Sequence, residues 1–172
     1  MTDPITPEKF DVDAWLSGAT KPTRSAKVFQ RGDLLAEIDE LAARIELAEK
    51  AEELAPGETA LSDSPNRLRA KYADLVEEFN ESALTVRLKA HTKDEQKLIT
   101  KKHKDPTDAG FALVSEAITP VMSVEQLKKL HSLVGEFQFG AILKAYNEAC
   151  QGVVEPSADF LPRPSTTAAD GS

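Results

Sequence analysis

The sequence predicts a helix-dominated α+β protein: a helical hairpin flanked by a two-stranded antiparallel ribbon, then a C-terminal bundle of three to four short helices. Between residues 33 and 150, most apolar side chains recur every three or four positions, which places them on one face of successive helices. Residues 83–91 (ALTVRLKAH) instead alternate apolar and polar side chains, as a half-buried strand does. A lone strand leaves its peptide groups unpaired, so it requires a partner, and residues 25–31 (SAKVFQR) are the other candidate.

Residues 1–24 are predicted to form a flexible N-terminal arm, because they combine three prolines with many small polar residues. Within the arm, the segment FDVDAWL can form one helical turn whose apolar side consists of Phe10, Val12, Trp15 and Leu16. Two interpretations of this turn are open. It anchors the arm to the core of the same chain, or it presents Trp15, the single tryptophan, to another protein.

Residues 25–91 are predicted to form a strand–helix–helix–strand unit. The first helix begins near Asp33 and ends near Leu54, just before a proline and a glycine. The second helix begins at Ser64, with Pro65 at the first helical position, where the missing N–H has no cost. About ten polar residues join the two, so an antiparallel hairpin is the simplest arrangement. The predicted apolar faces are Leu34, Ile38, Leu41, Ile45 and Ala48 in the first helix and Leu68, Tyr72, Leu75, Val76 and Phe79 in the second.

Residues 92–152 are predicted to form the C-terminal helical region. Thr92 with Glu95, and Ser123 with Gln126, match the capping-box pattern that opens a helix. The predicted segments are about 92–104, 106–118 with Asp105 as its cap and Pro120 as its end, 124–134, and a last helix within 135–150, followed by a disordered tail over 153–172 that is rich in proline, serine and threonine.

Charge is distributed unevenly along this acidic chain, whose formal net charge is -8. Residues 33–54 hold eight acids and two bases, a net charge of -6, whereas residues 84–104 hold seven bases and two acids, a net charge of +5. Either the two segments neutralise each other within one domain, or they polarise a surface that orients a partner. The cluster KKHK (101–104) is short and is interpreted as the cationic end of a helix. The interpretation as a DNA-binding regulator is supported by that cluster alone, so the sequence predicts no nucleic-acid partner.

Catalytic and metal-binding motifs are missing from the sequence, which has no GxGxxG, GxxxxGK[ST], GxSxG or HExxH pattern. His91, His103 and His131 lie 12 and 28 residues apart, so none pairs with another at helical spacing, and each is interpreted as a solvated or helix-end side chain. Cys150 is expected to pack as a small apolar residue on the last helix. We therefore predict a protein that is not an enzyme and binds no metal or cofactor.

The features that indicate a compartment are consistent with a soluble cytosolic protein. A single cysteine permits no internal disulfide, and the first residues (MTDPITPEKF) have neither a basic start nor an apolar run typical of a signal peptide. No stretch approaches the ~20 consecutive apolar residues of a membrane span, so no membrane partner is predicted.

The segment GEFQFGAILKAYNEAC (135–150) carries the candidate binding residues. Phe137 and Phe139 are separated by one residue and lie about 200° apart around a helix, so both cannot point inward. We predict that Phe137, Phe139, Ile142 and Tyr146 contribute to a partner-binding surface, together with Trp15. Packing of the segment into the core is the alternative that the sequence leaves open.

The C-terminal run VEQLKKLHSLVGEFQFGAILKAYNEAC, with its Pro/Ser/Thr/Ala tail, resembles the carboxy-terminal part of tail assembly chaperones of long-tailed phages (siphoviruses) that infect actinobacteria. That family has a Leu-rich helix, a short Gly/Glu-Gln-Phe turn, and a final alanine-rich helix with a late asparagine. The matching positions here are 136–139, Ala141 to Ala149, and Asn147. FDVDAWL and RSAKVFQRGDLLAEIDELAARIE are similar to the family's N-terminal half, so the resemblance covers about residues 10–160.

The resemblance implies a non-enzymatic chaperone that binds the tape measure protein before tail-tube subunits polymerise around it. It implies that the protein acts in the cytoplasm of the infected bacterium and is absent from the mature virion, and that a longer form arises by translational frameshift. A homo-oligomer is compatible with this role. The alternative from another class is a small structural tail or connector protein that is retained in the virion.

Overall fold

The computed structural model describes residue 7 and residues 10–56 and 64–152. Within these residues the chain forms six helices and three strands, which confirms the prediction of a helix-dominated α+β protein. In chain order the elements are α1 (Val12–Gly18), β1 (Thr23–Phe29), α2 (Leu34–Leu54), α3 (Pro65–Glu81), β2 (Ala83–Lys89), α4 (Lys93–Thr100), α5 (Pro106–Ala117), β3 (Ile118–Thr119) and α6 (Val124–Cys150).

The two predicted strands pair as expected. β1 and β2 are antiparallel, in a register that runs from Thr23 opposite Lys89 to Phe29 opposite Ala83. β1 begins and ends two residues earlier than the predicted 25–31, and β2 begins at residue 83 as predicted but ends two residues before 91. Alternation along each strand explains the pairing, since apolar residues at every second position share one face.

A third strand corrects the prediction of a two-stranded ribbon. β3 pairs antiparallel with β2 through Ile118 and Thr119, which gives a sheet with the order β1-β2-β3. The sequence had placed Ile118 on a helix that Pro120 ends. The residue before a proline is sterically disfavoured in the helical region, so the helix ends at Ala117 and the chain extends into the sheet.

One face of the sheet packs on α5 and α6 and forms the main core. The strands contribute alternate residues and the helices contribute their apolar stripes. This cluster joins the predicted unit 25–91 to the C-terminal helical region 92–152, so the two share a core. Its members include Val28, Val86 and Leu88 from the strands and Val114, Leu127, Phe139 and Ile142 from the helices.

α2 and α3 pack on each other around a second, smaller apolar cluster that includes the buried residues Leu41, Ala48 and Leu68. Ion pairs bridge the two helices: the Lys71 Nζ lies 3.0 Å from the Glu37 carboxylate, and Arg69 pairs with Glu49. α3 thus balances part of the acidic charge of α2. The ring of Phe79 on α3 stacks on Phe29 of β1 at 4.4 Å, which connects this pair of helices to the sheet.

The predicted helix caps are present in the C-terminal region. The Thr92 and Ser123 hydroxyls accept hydrogen bonds from the N–H groups of Glu95 and Gln126, whose side chains complete both capping boxes. Asp105 caps α5 as expected. α4 ends at Thr100 rather than near residue 104, so the KKHK cluster lies just beyond the helix.

Glycine interrupts the regular geometry of α6. Gly135 has φ 79° and ψ 171°, which places a kink between a segment beginning at Val124 and a segment ending at Cys150. The predicted tail, residues 153–172, and residues 1–6 and 8–9 of the predicted arm lie outside the described residues. In the part of the chain that the structure describes, no helix has the length and apolarity needed to cross a membrane.

Candidate functional site

The two phenylalanines beyond the kink point in opposite directions, as their spacing predicts. The Phe137 side chain is 95% exposed, whereas Phe139 is 4% exposed. Consecutive odd positions differ by about 200° around a helix, so burying one of the two turns the other toward solvent. Phe137 is consequently a large apolar side chain that the core does not use.

The burial of three other candidate residues corrects the predicted surface. Phe139, Ile142 and Tyr146 lie in the main core, with exposures of 4%, 0% and 5%. Phe139 contacts the rings of Phe111 at 5.4 Å and His131 at 4.8 Å. For these three residues the core-packing alternative is the correct one, because α5 and the sheet cover the side of α6 on which they lie.

Side chains on either side of the kink hold the exposed segment in place. His131 Nε2 lies 2.9 Å from the Glu136 carboxylate, which links the two parts of α6. The Gln138 side-chain amide accepts a hydrogen bond from the Phe29 N–H at 2.6 Å and donates one to the Phe29 carbonyl at 3.3 Å. Phe137 is therefore displayed from a position that is fixed to the sheet.

An apolar groove lies near the kink, between the end of the sheet and the first part of α6. Its volume is about 510 Å³. Leu133, which is 74% exposed, stands at the groove and precedes the kink by two residues. The remaining lining residues are Val28, Phe29, Gln30, Ser82, Leu84, Leu130 and Val134. Leu133 and the groove form an apolar surface before the kink, and Phe137 exposes a further apolar side chain two residues after it.

The N-terminal turn provides a second exposed apolar surface. The segment is helical as predicted, with the Asp11 carboxylate accepting a hydrogen bond from the Ala14 N–H. No residue of α1 is buried, and Trp15 is 59% exposed, with the Phe10 ring 6.2 Å from its own. Trp15 therefore does not anchor the arm in the described core, and the interpretation in which it contacts another protein stays a prediction.

The titratable groups near the core show structural roles. His91 Nδ1 lies 3.0 Å from the Tyr146 hydroxyl, and burial lowers the pKa of His91. Burial also raises the pKa of Tyr146, with Cys150 as the next cause. Among the described residues, no three His, Cys, Asp or Glu side chains are grouped as metal ligands would be. Sequence reasoning missed the His91–Tyr146 contact, since 55 residues separate the two.

We expect protonation of His91 to destabilise the fold. A pKa below the ordinary value of 6.5 means that the unfolded chain binds this proton more readily than the folded one. Stability should therefore fall as the pH drops below about 6.5. The melting temperature of the wild type should fall more between pH 7.5 and pH 5.5 than that of a His91→Gln variant, which keeps a polar partner for Tyr146. An equal fall in both proteins would show that His91 does not couple folding to pH.

The fold and the site together define a helix-dominated α+β protein with two exposed apolar surfaces, one near the kink in α6 and one on α1. Comparison with known proteins found no matching family model, no matching curated protein and no matching solved structure.

Proposed function

We propose that this protein is a phage tail assembly chaperone that binds the tape measure protein and keeps it soluble before the tail tube polymerises. The observations that carry the proposal are the 95% exposure of Phe137 and the 74% exposure of Leu133 at the apolar groove. Exposed apolar patches on a small protein mark interaction sites. The resemblance of the sequence to tail assembly chaperones supplies the identity of the partner.

The chemistry of the surface suits such a partner. A tape measure protein that is not yet enclosed in a tube exposes long apolar helical stripes. An apolar helix face can bind in a groove lined by leucine, valine and phenylalanine side chains, as between Leu84 and Leu133. A net charge of -8 would keep the complex soluble.

We infer that the two groups of helices have different roles. In this arrangement α2 and α3 act as a helical hairpin, and α4, α5 and α6 act as a C-terminal bundle that carries the binding surface. Three ion pairs support an antiparallel hairpin: Arg31–Glu78, Glu37–Lys71 and Glu49–Arg69. As the position in the first segment rises from 31 to 49, the position of its partner falls from 78 to 69. The same proposal places the protein in the cytoplasm of the infected host and includes tail-tube subunits and a frameshifted longer form as further partners.

Replacing the exposed aromatics should weaken partner binding without affecting the fold. We expect Phe137→Ser and Trp15→Ser to melt close to the wild type, because exposed substitutions usually change stability by about 0.5 kcal/mol or less. Each should reduce the amount of tape measure protein that stays soluble and co-purifies on co-expression. The matched control is Val121→Ser, since Val121 is 86% exposed and lies outside both proposed surfaces.

Two outcomes would contradict the proposal. Unchanged co-purification of the tape measure protein with both variants would remove these surfaces from consideration. Stoichiometric recovery of the protein from purified virions, by quantitative mass spectrometry, would favour a structural tail or connector protein over a chaperone.

A further inference from the structure

The outer edge of β1 carries peptide groups without a strand partner. The Gln30 N–H donates to the Ser82 carbonyl and the Ala90 N–H donates to the Pro22 carbonyl, so even-numbered positions from 22 to 30 direct their peptide groups at β2. Odd-numbered positions therefore direct theirs away from the sheet. Within the described residues, no backbone or side-chain group pairs with the outward N–H and carbonyl of Ser25 or Lys27.

At the next outward position, Phe29, a side chain pairs with the edge of β1. At Phe29, the Gln138 amide both accepts from the N–H and donates to the carbonyl, as a neighbouring strand would do. The protection stops there. Thr23, Ser25 and Lys27 are all exposed, so an extended segment can reach three successive outward positions. Proteins usually block or cover such edges, because an open edge is a template for strand addition.

The face of the sheet that points away from α6 is cationic at this edge. Lys27 on β1 and Arg87 and Lys89 on β2 lie on the same exposed face, since Ser25 is opposite Arg87 and Thr23 is opposite Lys89. None of the three cations forms an ion pair within the described residues, and no strand residue is acidic. A segment added to β1 would place every second side chain beside Lys27, where a carboxylate is favourable.

The opposite side of an added strand would meet the flank of α6. Phe137 lies about 100° from Gln138 around the helix, in the direction away from Phe139, which contacts α5. Ala141 lies about 60° from Gln138 in the same direction and is exposed. Because the Gln138 side chain binds the edge of β1 at Phe29, we infer that Phe137 and Ala141 lie on the side of α6 next to that edge. They give this flank an apolar stretch for alternate side chains of the incoming segment, and farther along the helix the same flank carries Lys144 and Glu148, which pair with each other.

The position of α6 favours a thin partner over a second copy of this chain. α6 packs mostly beneath β1 rather than β2. Edge strands of two copies would pair at about 4.8 Å, which would bring the two α6 helices beneath them into close approach, whereas packed helices require 8–10 Å. A single extended segment carries no helix beneath it and meets no such obstacle.

We propose that the open edge of β1 binds an extended segment of another protein as a fourth strand, with acidic side chains alternating with apolar ones. The acidic side chains lie on the face of Lys27, Arg87 and Lys89, and the apolar ones lie against Phe137 and Ala141. The site shares Phe137 with the surface of the proposed function, but its occupant is an extended acidic and apolar segment rather than an apolar helix, and the inference does not depend on the identity of the partner proposed above.

The test uses a blocked octapeptide of four Glu-Val repeats and a matched peptide of four Lys-Val repeats. Titrated into the ¹⁵N-labelled full chain, the Glu-Val peptide should shift the amide signals of Thr23, Ser25 and Lys27 and slow their hydrogen exchange. A Ser25→Pro variant loses the outward N–H at a position where edge strands tolerate proline, so affinity should fall about tenfold or more. Ser25→Ala keeps the N–H and should bind like the wild type.

A charge exchange provides a second measurement that does not depend on Ser25→Pro folding. Lys27→Glu should weaken binding of the Glu-Val peptide and strengthen binding of the Lys-Val peptide. Equal binding of both peptides to the wild type and to Lys27→Glu would overturn the proposal, as would shifts confined to residues outside β1. A dimer in sedimentation equilibrium that Ser25→Pro dissociates would assign the edge to a second copy instead.

Discussion

Replacing Phe139 with alanine is expected to destabilise the protein by about 3–5 kcal/mol, the usual cost of removing a buried phenylalanine ring. Phe139 is 4% exposed and packs against Phe111 and His131, so the variant leaves a cavity where α5 meets α6. For a domain of ordinary stability this loss approaches the whole free energy of unfolding. Thermal and denaturant-induced unfolding, followed by circular dichroism, measure it directly.

The neighbouring phenylalanine provides the matched control. Phe137→Ala removes the same atoms from a side chain that is 95% exposed, and its melting temperature should stay close to that of the wild type. If both variants melt early, Phe137 is packed against part of the protein and does not belong to a binding surface. If Phe139→Ala melts normally, the assignment of Phe139 to the core is wrong.

Replacing Gly135 with alanine is expected to cost about 1–3 kcal/mol through the backbone alone. With φ 79° and ψ 171°, this residue occupies a region that side-chain-bearing residues rarely adopt, because the Cβ atom clashes with the neighbouring peptide. Apart from the adjacent residues and the backbone of the helix itself, a Cβ at this position would have no atom within 4 Å, so crowding by distant residues does not contribute. The variant should also favour a continuous helix, which would rotate Phe137 relative to Leu133.

Gly140, a second glycine in α6, provides a control that distinguishes backbone strain from other effects of adding a methyl group. Gly140 has no positive φ and also has open space around its Cβ position. Gly140→Ala should therefore be neutral or stabilise the protein by about 0.4–1 kcal/mol, because alanine reduces the conformational entropy of the unfolded chain. Equal melting temperatures for the two variants would contradict the role of the kink. Under the proposed function, co-purification with the tape measure protein should fall for Gly135→Ala only.

Local patterns predicted most of the secondary structure because their causes are local. The capping boxes at Thr92 and Ser123 satisfy N–H groups within four residues of chain, so they can be recognised without a tertiary structure. The alternation in ALTVRLKAH likewise predicted which face of β2 is buried: Val86 and Leu88 are fully covered. The pairing of β1 with β2 followed because the chain offered one evident partner.

Features that depend on distant residues were missed or left open. β3 contains two residues, too few for a periodic pattern, and exists because β2 offers an edge where α5 ends. The contact of His91 with Tyr146 and the closure of Phe29 by Gln138 join residues 55 and 109 positions apart. A local sequence pattern carries no information about such pairs.

The sequence by itself determined the approximate positions of the helices and of β1 and β2, which side of each is apolar, and that Phe137 and Phe139 cannot both be buried, because these follow from helix and strand periodicity. Tertiary structure alone decided which phenylalanine is exposed. α5 and the sheet cover the side of α6 that holds Phe139, Ile142 and Tyr146, and Gly135 sets the direction in which that helix leaves the kink. It also decided that the sheet packs on α5 and α6 and leaves the edge of β1 open, since helix placement depends on contacts between segments far apart in the chain.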